Sequence, residues 1–150
     1  MDIAPPPIEI ATALAGCSHE LVSRLDRDLG GLGLTWAQLR ALLALRDQRG
    51  LLHAGGLGRR LGVSRQAAHA LLLRLDAHGF VTWKDDDWIK SARLTSSGEI
   101  AAREAIGAAS LTLEALARLG AEDRKALVRI TREVGRELRR PAYERPWWWD

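Results

Sequence analysis

At 150 residues the chain is long enough for one compact domain with a sizeable core, and its 47% apolar and 27% charged residues are ordinary for a soluble globular protein. One cysteine excludes an internal disulfide framework and fits a reducing compartment; no apolar run approaches the roughly 18–20 residues that span a bilayer. The net charge of +3 and pI near 9.6 permit nucleic-acid binding without demanding it.

The opening MDIAPPPIEI lacks the basic and apolar regions of a signal peptide, so no membrane association and a cytoplasmic location are expected. Pro5, Pro6 and Pro7 form a short stiff leader. Ile10, Leu14, Cys17, Leu21 and Leu25 then step by three and four residues, one apolar helix face, with Glu20, Arg24 and Arg27 opposite. Gly30, Gly31 and Gly33 stop this helix. Thr35 is placed to cap a second helix that buries Leu39, Leu42, Leu43 and Trp36, ending at Gly50. Leu51, Leu52 and His53 read as a brief extended segment, and Gly56 and Gly58 make the helix after it intrinsically weak.

The stretch 57–81 organises the chain. Leu57, Leu61 and Val63 are apolar positions that can close a small core, Gly62 supplies a tight turn, and Ser64 is a good N-cap for the next helix. Ala68, Leu71, Leu72 and Leu75 recur at helical spacing as a buried stripe; Arg65, Gln66 and His69 lie off it, and Leu73 lies near the exposed side, where it could pack on the hairpin that follows. Gly79 is placed as a left-handed cap. Two short helices around a turn are the helix-turn-helix pattern, whose second helix lays its N-terminal side chains in the DNA major groove.

Residues 80–84 and 89–94 read as strands joined by Asp85, Asp86 and Asp87, a hairpin of the kind called a wing, with Trp83 and Trp88 placed to pair across it. Thr95 caps a long helix to about Leu119, carrying Ala102, Ala105, Ala109, Leu113 and Leu116; Gly120 ends it. A last helix presents Leu127, Ile130, Val134 and Leu138 for burial, and Pro141 stops it. Trp147, Trp148 and Trp149 are either a loosely packed tail or an anchor on a partner or over a cavity. The first and last helices have too little in one chain to cover their apolar faces, which points to a second copy.

The run LGVSRQAAHALLLRLDAHGFV, followed by ARLTSSG and preceded by LTWAQLRALLAL, resembles the multiple-antibiotic-resistance regulator (MarR) family of bacterial transcription factors over residues 10–138. The resemblance implies a mainly α fold: a winged helix-turn-helix at 35–95, dimerisation helices at 8–34 and 96–139, and a tail at 140–150, all in one domain. It implies a homodimer on a pseudo-palindromic operator in double-stranded DNA, with recognition helices about one DNA turn, roughly 34 Å, apart. It also implies a small aromatic effector between the dimer helices and the reading head, where Leu14, Cys17 and Trp36 are the candidate lining. Some members sense oxidants through a cysteine near Cys17; here its apolar stripe reads as core or interface.

For DNA the candidates are Ser64, Arg65, Gln66 and His69 on the recognition helix, with Arg59, Arg60, Arg74, Lys84, Lys90 and Arg93 as further cations. Arg65 suits guanine O6 and N7, and Gln66 suits adenine N6 and N7. The wing departs from the family: its hairpin is shorter, the Asp-Arg-Arg run is absent, and an aspartate triplet stands where phosphates would repel it. His19, His53, His69 and His78 show no ligand spacing, so no metal is expected, and no P-loop or nucleophile elbow marks a cofactor site or an enzyme. The reading is a ligand-responsive homodimeric repressor. The alternative is a winged-helix protein-interaction module with weak or lost DNA binding, docking through the acidic wing and the tryptophan tail.

Overall fold

Pro7 opens the first helix, α1 (Pro7–Gly30), where its missing N–H would have no intrahelical partner anyway. This is a computed structural model, and it describes residues 4–48, 50–86 and 89–139. The tail with Pro141 and Trp147–Trp149, and Asp87 and Trp88, lie outside the described residues. The chain divides into two compact units after Thr112.

The first unit continues with α2 (Trp36–Gln48), β1 (Leu52–His53), α3 (Ala54–Leu61), α4 (Arg65–Ala77), β2 (Val81–Asp86), β3 (Ile89–Leu94) and α5 (Ser96–Ala108). α2 is the central post, packed against α1, α3, α4, α5 and β3. Its N-terminus is held three ways. Thr35 and Gln38 form a capping box: Gln38 Oε1 accepts from the Thr35 N–H at 2.8 Å and the Gln38 N–H donates to Thr35 Oγ1 at 3.3 Å. Asp26 of α1 accepts from the Trp36 N–H at 2.6 Å. The expected cap at Thr35 is present, and Gln38, buried and satisfied, is its unforeseen half.

Leu39, Leu42, Leu45, Leu57, Ala68, Leu72, Leu75, Val81, Ala92, Ala102 and Ala105 form one core, with Trp36, Leu43, Leu61 and Trp83 packed on its margin. The stripe on α1 is graded: Leu25 is buried, Leu14 and Leu21 are half-buried, and Ile10 and Cys17 are exposed. Cys17 is therefore not a core residue, because the core reaches α1 only near its C-terminal end. Val63 is also exposed, since it sits in the turn between Gly62 and the cap Ser64 rather than on a helix face.

The sheet has three antiparallel strands in the order β1-β3-β2. Strand β2 runs through Asp85 and Asp86, so these two aspartates are strand residues, with Cα positions opposite Lys90 and Ile89. The register Val81–Leu94 and Trp83–Ala92 places Trp83 opposite an alanine; the expected pairing of Trp83 with Trp88 falls outside the described residues.

Thr95 caps α5, accepting from the Gly98 N–H at 3.0 Å. The long helix breaks at Ala109, whose ψ of 2° leaves the helical region, and resumes as α6 (Ser110–Ala117). Asp28 of α1 accepts from the Thr112 hydroxyl at 2.6 Å.

In the second unit Gly120 precedes α7 (Ala121–Leu138), which carries surface ion pairs Lys125–Glu122 and Arg129–Glu133. None of its residues is buried: Leu127, Ile130 and Leu138 are exposed and Val134 half-buried. The expected apolar face exists, but the single chain does not bury it. Leu116 is exposed as well.

Candidate nucleic-acid interface

α3 and α4 meet through a turn that every local residue favours. Gly62 takes φ 71°, the left-handed conformation in which a Cβ would clash and which glycine, having none, adopts without that cost. The Ser64 hydroxyl accepts from the Ala67 N–H at 3.1 Å. The glycines of α3 allow close approach: a Cβ on Gly58 would stand 2.9 Å from the Val63 carbonyl oxygen, and one on Gly56 would stand 2.9 Å from Leu52. What reads as weakness in the sequence is the condition for packing α3 against the turn and β1. His53 caps α3 through Nδ1, which accepts from the Gly56 N–H at 2.8 Å. Arg40 of α2 donates to the Leu61 carbonyl at 2.7 Å, a support with no sequence signal.

α4 ends in a Schellman cap: the Phe80 N–H bonds the Leu75 carbonyl at 2.9 Å and the Gly79 N–H bonds the Asp76 carbonyl at 2.8 Å. Gly79 has φ 72°. The Thr95 hydroxyl donates to the Gly79 carbonyl at 2.8 Å, joining the end of α4 to the start of α5.

With Ala68, Leu71, Leu72 and Leu75 buried, the opposite side of α4 is exposed. At 100° per residue, Gln66, Ala70 and Leu73 lie at the centre of that side, and Arg65 and His69 lie on one flank. Arg74 falls about 180° round the helix from Arg65, on the other flank. The cations of α4 thus do not share one face. Leu73 is 50% exposed and does not bury itself against the wing. The placement of Ala70 and Leu73 beside Gln66 was available from helical geometry.

Arg59 and Arg60 are exposed on α3, and Arg60 donates to Gln48 of α2. Both line an open cavity of about 450 Å³ with Gln48, Leu51, Leu52, His53 and Gly56. The register divides the wing cations. Lys84 and Arg93 lie on the outer face of the sheet with Thr82, beside a cavity of about 360 Å³ that Leu51 and Trp83 also line. Lys90 lies on the other face, with Ala92 and Trp83. The imidazole of His69 meets the indole of Trp83, ring centroids 5.8 Å apart. Leu14 and Cys17 stand on α1 and Trp36 at the start of α2; these three line neither cavity. Among the described residues no group of three or more His, Cys, Asp or Glu could hold a metal ion, and no helix is long and apolar enough to cross a membrane.

Helices α2 to α4, a three-stranded sheet and a hairpin following the second helix of the turn define a winged helix-turn-helix. The MarR family model matches residues 32–87. Among solved structures, the MarR family transcriptional regulator Sco3205 from Streptomyces coelicolor, solved in complex with DNA, superposes with a TM-score of 0.80 at 23% identity, over 97% of this chain and 98% of that one. The Mycobacterium tuberculosis MarR family protein Rv2887, in complex with p-aminosalicylic acid, gives 0.63 at 26% identity, over 88% and 99%. BpsR of Bordetella bronchiseptica, whose DNA binding is regulated by 6-hydroxynicotinic acid, gives 0.73 at 21% identity, over 88% and 99%. No curated protein matches the chain in sequence. The chain has the fold of the MarR family transcriptional regulators, and residues 32–87 carry that family's sequence pattern.

Proposed function

We propose that this chain is a sequence-specific DNA-binding transcriptional regulator, a ligand-responsive homodimeric repressor rather than an enzyme, working in the cytoplasm. The observation that carries the reading is the exposed side of α4: a capped helix N-terminus presents Ser64, Arg65, Gln66 and His69 to solvent while the opposite stripe anchors the helix in the core. Arg65 and Gln66 supply bidentate donors and acceptors for base edges, and Ala70 and Leu73 supply apolar contact for a thymine methyl. Arg59, Arg60, Arg74, Lys84, Lys90 and Arg93 contribute to phosphate binding, which positions the protein without reading sequence.

Support for the homodimer comes from apolar surface that the chain leaves open: Leu127, Ile130 and Leu138 on α7, and separately Ile8 and Ile10 on α1. The segments 8–34 and 96–139 would build the dimer and 35–95 would read a pseudo-palindromic operator, with 140–150 as a tail. Support for a small aromatic effector comes from the ligands of Rv2887 and BpsR. Leu14, Cys17 and Trp36 are the proposed lining of its site, completed by the partner copy. Such a ligand acts by binding one of two dimer arrangements better and shifting the population.

The test is selection of bound sequences from a random duplex pool, with sedimentation of the free protein. The expected result is an enriched inverted repeat with half-sites about one helical turn apart, bound by a species of twice the 16.5 kDa subunit mass. A protein that enriches no sequence and binds no duplex at low salt would overturn the reading in favour of a protein-docking module.

A further inference from the structure

His69 lies four residues after Arg65, about 40° round the helix and one turn further along α4. It is exposed, and among the described residues its imidazole makes no hydrogen bond. What touches its imidazole is the indole of Trp83, at a centroid distance of 5.8 Å and an interplanar angle of 54°. Both values belong to a tilted aromatic pair, an attractive arrangement. Trp83 is itself fixed. It packs on the core, and the fully buried Ala92 stands opposite it in the strand register. An exposed histidine alone would sample several rotamers and lose that freedom on binding DNA; one already held by an indole has little left to lose.

We propose that Trp83 is a positioning residue for DNA readout: it holds His69 as a third reading side chain beside Arg65 and Gln66. The inference rests on the reading of α4 as the recognition helix. In either protonation state the imidazole carries at least one ring N–H, a donor suited to the purine N7 or guanine O6 acceptors of the major groove. The base of the wing, rather than its tip, then serves sequence recognition. That fits a hairpin whose β2 runs out through Asp85 and Asp86.

A double-mutant cycle tests this on the duplex that the wild-type protein enriches from a random pool. His69→Ala and Trp83→Leu should each weaken that duplex about 3- to 10-fold and weaken random duplex distinctly less. The double variant should bind no more weakly than the weaker single variant, because each removes the same interaction. Trp83→Phe keeps a ring and should restore affinity to within about twofold. In the free protein the His69 ring protons should show an indole ring-current shift in NMR that Trp83→Leu abolishes. If Trp83→Leu lowers the melting temperature, His69→Ala and Trp83→Phe still decide the matter, since one alters an exposed side chain and the other conserves the ring. Losses that multiply in the double variant, or that fall equally on random and enriched duplex, would overturn the proposal while leaving the regulator reading intact. If the wild-type protein enriches no duplex, both fall together.

Discussion

The guanidinium of Arg40 in α2 donates through Nη2 to the carbonyl of Leu61, the last residue of α3, at 2.7 Å. The bond crosses from the central post to the residue just before the left-handed Gly62, so it fixes where the turn leaves α3. Its donor is charged and half-buried, which places it among the stronger protein hydrogen bonds. Arg40→Met keeps much of the apolar stem and removes the donor. It should lower stability by about 1.5–3 kcal/mol, read as a lower urea midpoint with an unchanged slope.

Under the proposed function Ser64 has two separable duties. Ser64→Ala removes the bond to the Ala67 N–H and should cost about 1 kcal/mol of stability. Ser64→Asp caps as well as serine and should leave stability within about 0.5 kcal/mol of wild type. Its new carboxylate, however, would face phosphates. Duplex affinity should fall about tenfold or more at low salt, and the deficit should shrink as salt rises. A Ser64→Asp protein that is stable and binds DNA normally would place this helix end away from the backbone.

Two glycines on one helix should respond oppositely. A Cβ on Gly98 would collide with the Phe80 carbonyl oxygen, which also accepts from the Thr95 N–H. Gly98→Ala should therefore destabilise by about 2–4 kcal/mol. Gly107 has nothing within 4 Å of its Cβ position, so Gly107→Ala should stabilise by about 0.5 kcal/mol. Thermal melts of the two variants suffice as the check.

Readout and phosphate contact predict different signatures. Arg65→Ala and Gln66→Ala should each cost about 1–3 kcal/mol on the enriched duplex and relax choice at one base pair. Arg59→Ala should weaken all duplexes alike and reduce the salt dependence by about one phosphate contact. Competition titrations on matched and mismatched duplexes at several salt concentrations separate the two behaviours. An unchanged sequence preference in Arg65→Ala would mean that α4 does not read bases at its N-terminus.

Much of the reading head was legible because its signals are local. The stripe of Ala68, Leu71, Leu72 and Leu75 follows from helical period, and Gly62, Ser64, Gly79 and Thr95 follow from cap chemistry. The misses have other causes. Asp85 and Asp86 look like turn residues, but the pairing of β2 with β3 carries them into the strand. A two-residue strand such as β1 has no room for an alternating pattern, so its place beside β3 was not readable. Periodicity names the face of α7 that can be buried, not the surface that buries it. Long-range bonds such as Asp26 to the Trp36 N–H, Asp28 to Thr112 and Arg40 to Leu61 leave no spacing rule behind. The contact of His69 with Trp83 is of the same kind.

The hydroxyl of Thr95 is bonded at once to the Gly79 carbonyl and to the Gly98 N–H. That makes α4 a lever with its fulcrum at the end away from Arg65. The helix is about 20 Å long at 1.5 Å per residue, so a tilt of about 10° imposed at Gly79 sweeps its first turn through about 3.5 Å. A displacement of that size is longer than a hydrogen bond and, under the proposed function, would take Arg65 and Gln66 off the base edges they read. On the proposed reading a rotation of α5 would reach the DNA as amplified travel of the reading end, and the buried Ala68, Leu71, Leu72 and Leu75 would have to repack to let α4 tilt.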